Sequence, residues 1–159
     1  MKKIIISILI ISVLDLWARN NSYITFGPMA HFNFGNGKYN FSSGFEISYW
    51  NLNIVDLQGA PGVESMNGFG FDFGLDFEKE KFRIYFEPQI GWGVGGISIG
   101  PVFEKSKNVE GSNFGIQGSG WLCFLLGIDL RLRLLNQENN KTFSPGIFGK
   151  IPIPIILEK

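Results

Sequence analysis

The feature that most constrains this chain is a strict two-residue alternation, clearest in GFGFDFGLDFEKEKFRIYFEPQIGWGV from Gly68 to Val94. Phe69, Phe71, Phe73, Leu75 and Phe77 are apolar at every second position, and after Glu78 to Lys81 the alternation resumes on Phe82, Ile84, Phe86, Ile90, Trp92 and Val94. A period of two is that of a β-strand whose faces meet different surroundings. The question is which face is which.

The alternation extends over nearly all of the chain. It predicts strands at 23–34, 39–51, 66–78, 82–94, 97–104, 112–117, 121–135 and 141–151. Residues opposed across a hairpin share a face, so an even-length loop switches the apolar positions between even and odd numbers and an odd loop preserves them. Strand 1 is apolar on even numbers (Ile24, Phe26, Phe32, Phe34) and strand 2 on odd ones (Phe41, Phe45, Ile47), across Asn36-Gly37. Strands 3 and 4 switch across Lys79-Glu80, and strands 4 and 5 across Gly95-Gly96. Strands 6 and 7 keep parity, for which Gly118-Ser119-Gly120 supplies an odd turn. Pro28, Pro88, Pro101 and Pro145 fall inside strands, where each removes a ladder donor. Pro152 and Pro154 are expected to end the last strand near Ile151.

Composition decides the faces. The 159 residues suit one domain, and 14 basic against 14 acidic side chains leave no global field to recruit nucleic acid. Charged residues are 18% of the chain, whereas 16 Phe and 21 Gly favour an aromatic-rich, glycine-punctuated β protein. A soluble barrel should carry lysine on its polar strand face. Lys38, Lys79, Lys81, Lys105, Lys107 and Lys141 instead fall in or beside turns. The polar face holds Gly, Ser, carboxylates and arginine, a mixture that suits a narrow closed interior with paired charges. Glu46, Asp72, Asp76, Arg83, Glu87, Asp129, Arg131 and Arg133 are expected to form that interior polar network. The continuous Phe, Leu and Ile stripes then face lipid. Tyr23, Tyr39, Trp50, Trp92 and Trp121, near strand ends, suit the membrane interfaces.

The segment MKKIIISILIISVLDLWA has a basic start, an apolar core from Ile4 to Leu14 and a small residue at Ala18. Such a segment reads as a signal peptide over 1–18, with a barrel domain over 19–159. The core is shorter than the roughly 20 residues of a membrane-spanning helix. Cys123 is the only cysteine, so no internal disulfide or cysteine-based metal site forms, and it is expected to be a small buried hydrophobe.

In pattern and length, residues from about 23 to 151 resemble the small eight-stranded outer-membrane β-barrel proteins. The resemblance implies an all-β, antiparallel up-and-down transmembrane barrel, located in the cell outer membrane of an exporting cell, monomeric and surrounded by membrane lipid. Its interior would be filled by side chains, with a structural or surface-interaction role, no catalysis and no cofactor. With the N-terminus in the periplasm, the connection from Leu52 to Ser65 falls on the periplasmic side.

Two other readings follow from the residues. A soluble, exported lipocalin-like barrel binding an apolar ligand would put Phe73 and Phe86 in the lumen and Arg83 and Arg131 in water. A barrel enzyme acting on lipid could use His31 and Ser42, which the Asn36-Gly37 turn sets opposite each other. The Lys79-Glu80 turn likewise opposes Asp76 to Arg83 and Asp72 to Glu87. Two facing carboxylates could form an acid pair or an ion site. Neutralisation by Arg131 or Arg133 across the lumen is the stronger expectation.

Overall fold

The computed structural model describes residues 22–35, 37–56, 64–92, 94–107, 111–123, 126–136 and 140–155. The expected signal segment, 1–18, lies outside them.

The described strands are β1 (Ser22–Gly35), β2 (Lys38–Asp56), β3 (Glu64–Glu78), β4 (Lys81–Trp92), β5 (Gly95–Ser106), β6 (Ser112–Cys123), β7 (Leu126–Leu135), β8 (Asn140–Gly149) and the short β9 (Ile151–Pro154). Each of β1 to β7 pairs antiparallel with its successor, and β1 also pairs with β8 and β9. The β9 strand continues β8 along β1 in one register, with Lys150 at the junction. The sheet is therefore a closed up-and-down barrel of eight strands, with no free edge along its wall.

Burial answers the question raised by the alternation. Among the described residues, thirty large apolar side chains are exposed and seven are buried, the reverse of a soluble core. Phe73 and Phe86 are 47% and 42% exposed, whereas Arg83 and Arg131 are each 3% exposed. The apolar stripes form the outside of the wall and the charges fill the lumen, which excludes the lipocalin-like arrangement.

The two-residue turns with strong chemistry set the expected registers. His31 opposes Ser42, Asp76 opposes Arg83, and Asp72 opposes Glu87. Gly37 has φ of 71°, in the left-handed region that a tight hairpin demands of its second turn residue.

Two turns differ from expectation. Trp92 pairs with Gly95, so β4 and β5 join between them, and Gly95 and Gly96 begin β5 rather than forming the turn. Cys123 pairs with Gly127, so the connection between β6 and β7 comes after Cys123. Gly118, Ser119 and Gly120 lie inside β6, opposite Leu132, Arg131 and Leu130. The parity rule required an odd turn there without locating it. The glycines that resembled a turn are small wall residues. Strand 6 is accordingly longer than expected and contains Trp121 and Leu122, and β7 starts later.

The connection expected from Leu52 to Ser65 is largely a continuation of the β2–β3 ladder, which runs to Asp56 opposite Glu64. It projects past Ser22 of β1 and Trp92 of β4, at the end of the barrel where Ser22 meets Ile155, called the termini end below.

All four interior prolines stand at ladder gaps. Pro88 and Pro101 flank the break in β4–β5, Pro145 stands where β1–β8 lacks pairs at Phe32 and Asn33, and Pro28 faces the β8–β9 junction. Pro152 and Pro154 do not end the strand near Ile151; they pair with Thr25 and Tyr23. The Ile155 amide donates to the Ser22 carbonyl at 3.0 Å. Odd-numbered amides here thus point to β1, and the even-numbered prolines face the side where β7 has ended, so no donor is lost from a ladder.

The expected interfacial aromatics divide. Tyr39 and Trp92 are exposed on the outside. Tyr23 and Trp50 are buried, and Trp50 packs edge-to-face on Trp121 at 5.4 Å between ring centroids. Their numbers share the parity of the lumen residues on their strands, so these three help close the termini end of the lumen. Cys123 is half-buried against the apolar cluster of Met29, Tyr85, Val102, Leu135 and Phe148.

Candidate functional site

The candidate site is the charged lumen. Inward positions are odd on β1, β4, β6 and β7 and even on β2, β3, β5 and β8, and this parity brings charged side chains from all parts of the chain together. Glu46, Asp72, Asp76, Arg83, Glu87, Asp129, Arg131 and Arg133 are each at most 3% exposed.

Towards the end opposite the termini, Arg83 links three carboxylates. Its Nη1 donates to Asp76 at 3.0 Å, Nη2 to Glu78 at 2.6 Å and Nε to Glu104 at 2.7 Å. Lys81 adds a bond to Glu104 at 3.1 Å. Arg133 donates to Asp76 at 3.3 Å, to Asn33 at 3.2 Å and to Gln117. A guanidinium fork can satisfy several acceptors at fixed angles, which an ammonium cannot do in one plane.

At mid-depth, Arg131 donates to Glu46 at 2.9 Å and to Asp129, with its Cζ 4.8 Å from the Tyr85 ring centroid. The Tyr85 hydroxyl donates to Glu46 at 2.6 Å. Tyr85 lies over Gly74, where a Cβ would overlap its ring, so that glycine makes room for the phenol.

The facing pair Asp72–Glu87 is not neutralised by either arginine. Asp72 accepts from Lys150 at 3.2 Å and from Gln89 at 2.6 Å. Glu87 accepts from Gln117 at 2.8 Å and from Ser98 and Ser119 at 2.7 Å each. Among the described residues Glu87 is the one buried carboxylate in no ion pair. The reason is reach. Arg131 and Arg133 are taken up by Glu46, Asp129 and Asp76, and the cation nearest Asp72 enters from the β8–β9 junction. Lys150 also binds Glu46 at 2.6 Å and Ser48 at 2.7 Å. Sequence reasoning missed Lys150, although its even number on a strand with odd apolar positions already pointed it inward.

His31 and Ser42 are opposed and fully buried, but they do not form a nucleophilic pair. His31 Nε2 bonds both carboxylate oxygens of Asp129 at 3.0 Å, its Nδ1 has no partner, and Ser42 Oγ accepts from Asn33 at 2.8 Å. A general base must reach the hydroxyl proton it removes, and no such bond is present. Among the described residues no group of three or more His, Cys, Asp or Glu side chains is arranged to hold a metal ion.

No protein-family model matches the chain, and no curated protein is significantly similar to it. Among solved structures, Ail, the attachment invasion locus protein of Yersinia pestis, in complex with the heparin analogue sucrose octasulfate, is 12% identical with a TM-score of 0.34. That match covers 83% of this chain and 97% of the other. A second structure of Ail is 10% identical with a TM-score of 0.29, covering 84% of this chain and 99% of that one. At these values the likeness carries no argument about function, and the closed barrel rests on its own strand pairings.

Proposed function

We propose that the chain is a small outer-membrane β-barrel with a structural or surface-interaction role and no catalytic one, in which residues 1–18 are the export signal and 19–159 form the barrel domain. The observation that carries this reading is the inversion of the wall: exposed Phe, Leu and Ile around the outside, buried ion pairs within. In water the outer surface would be a continuous apolar patch far larger than soluble proteins carry. In a bilayer it is the solvated face, and closing the ladder pairs the backbone of the wall strand to strand, as hydrocarbon requires. Strands β1 to β8 have 10 or more residues each, enough to cross as tilted strands of about 9–11.

A structural role is supported by the engagement of the described lumen cations: Arg83, Arg131, Arg133 and Lys150 are each held by carboxylates. The absence of a free wall edge favours a monomer, since no strand is left to pair with a second chain. Membrane fractionation tests the proposal, followed by gel mobility of the detergent-extracted protein with and without boiling. Enrichment in the outer membrane with a heat-dependent mobility shift is expected. Recovery in the soluble periplasmic fraction would overturn it.

A further inference from the structure

Among the described residues with assigned exposure, the outer face of the wall carries charge at one end only. Every turn beside which a described lysine falls, apart from Lys150 in the lumen, joins strands at the end opposite the termini: β1–β2, β3–β4, β5–β6 and β7–β8. Lys105, Lys107 and Lys141 lie there on the outward parity of their strands and are exposed. Lys105 stands opposite outward Phe82 and two residues beyond Phe103 on the same stripe. The Lys107 amide donates to the Glu80 carbonyl at 2.8 Å, so its strand is still held against β4. Lys141 stands opposite Leu134 and two residues before Phe143. Along the described strands with assigned exposure, no acidic residue has the outward parity: Glu46, Asp72, Asp76, Glu78, Glu87, Glu104 and Asp129 are all buried in the lumen.

We propose that Lys105, Lys107 and Lys141 form a cationic collar that binds anionic phosphate headgroups of the lipids packed around this end of the barrel. The inference rests on the membrane-spanning reading and adds its lipid partner. Each lysine sits where an apolar stripe ends, so its methylene stem can lie along the wall while the ammonium reaches headgroup level. Attraction to anionic lipid is about fivefold in affinity per lysine near a charged surface. The solvent-side acids at this end are Glu80 in its turn and, by sequence, Glu110 and Glu138 in connections outside the described residues. Glu80 lies in its turn and does not continue an outward stripe.

The test uses protein purified from membranes and placed in phosphatidylcholine vesicles with trace spin-labelled lipid, either phosphatidic acid or phosphatidylcholine. The fraction of each lipid immobilised at the protein is compared at low and high salt. Several-fold preference for phosphatidic acid, weakened by salt, is expected for the natural chain. It should be lost in a Lys105→Gln, Lys107→Gln, Lys141→Gln variant and kept when the same positions become arginine. An unchanged preference in the glutamine variant, or no preference in a natural chain that incorporates and keeps its heat-dependent mobility shift, overturns the collar and leaves the barrel reading standing. Failure of the natural chain to incorporate overturns both.

Discussion

At the scale of single residues, the lumen is held by a few cations that each serve several acids. Arg83 is the most exposed to test, because Asp76, Glu78 and Glu104 all depend on it. Breaking a buried ion pair by removing one partner costs about 3–5 kcal/mol, because the other charge stays behind in a poor solvent. Arg83→Ala should therefore lower the urea midpoint of the heat-shifted band sharply, and Arg83→Lys should recover only part of it, since an ammonium cannot span three carboxylates. A midpoint unchanged in Arg83→Ala would mean that the network is ornamental. Tyr85→Phe is a milder change. It removes the donor to Glu46 while Arg131 and Lys150 still serve that carboxylate, and a loss of about 1–3 kcal/mol is expected from the same titration.

At the scale of elements, the decisive variable is where a turn sits, and here sequence reading and structure part company. The β1–β2 and β3–β4 registers were legible because Asn36-Gly37 and Lys79-Glu80 interrupt apolar stripes on both sides, which pins a turn to one place. The β6–β7 turn was not, since Gly118-Ser119-Gly120 and a connection after Cys123 both satisfy parity and only packing separates them. Small residues on a wall and small residues in a turn look alike in a sequence. The structure makes a discriminating forecast. At Gly120 an added Cβ meets nothing within 4 Å, and at Gly118 it meets only the Ser98 carbonyl oxygen, at 3.6 Å. Gly118→Val with Gly120→Val should leave the barrel folded or raise its urea midpoint slightly, by up to about 1 kcal/mol of strand preference. Loss of the folded band would return the turn to 118–120. The lumen partners were less legible still. Parity predicts which residues point inward, but the meeting of Lys150 with Asp72, or of His31 with Asp129, depends on how strands far apart in sequence are staggered across the barrel.

At the scale of the whole molecule, Ser22 and Ile155, the outermost described residues, lie at one end and the lysine-bearing turns at the other, so the proposed orientation can be read by chemistry from outside the cell. In a Cys123→Ser background, Lys79→Cys should react with a membrane-impermeant thiol reagent on intact cells. Val94→Cys, in the turn at the termini end and 57% exposed, should react only after the outer membrane is breached. The opposite pattern would invert the barrel in its bilayer.

The closure of β1 on β8 and β9 carries a kinetic consequence. Tyr23 finds its partner at Pro154, and Asn33 bonds Ser144 across most of the chain. Contacts of such sequence separation form slowly, because the loop entropy must be given up before the contact returns anything. Until the seam closes, an inserted curl of strands would present Arg131, Arg133 and their acids to hydrocarbon, which penalises every half-built state. If the barrel assembles in a bilayer as proposed, the lumen charges would act as a checkpoint: an early strand would wait for the last ones, and the membrane would tolerate only the finished ring.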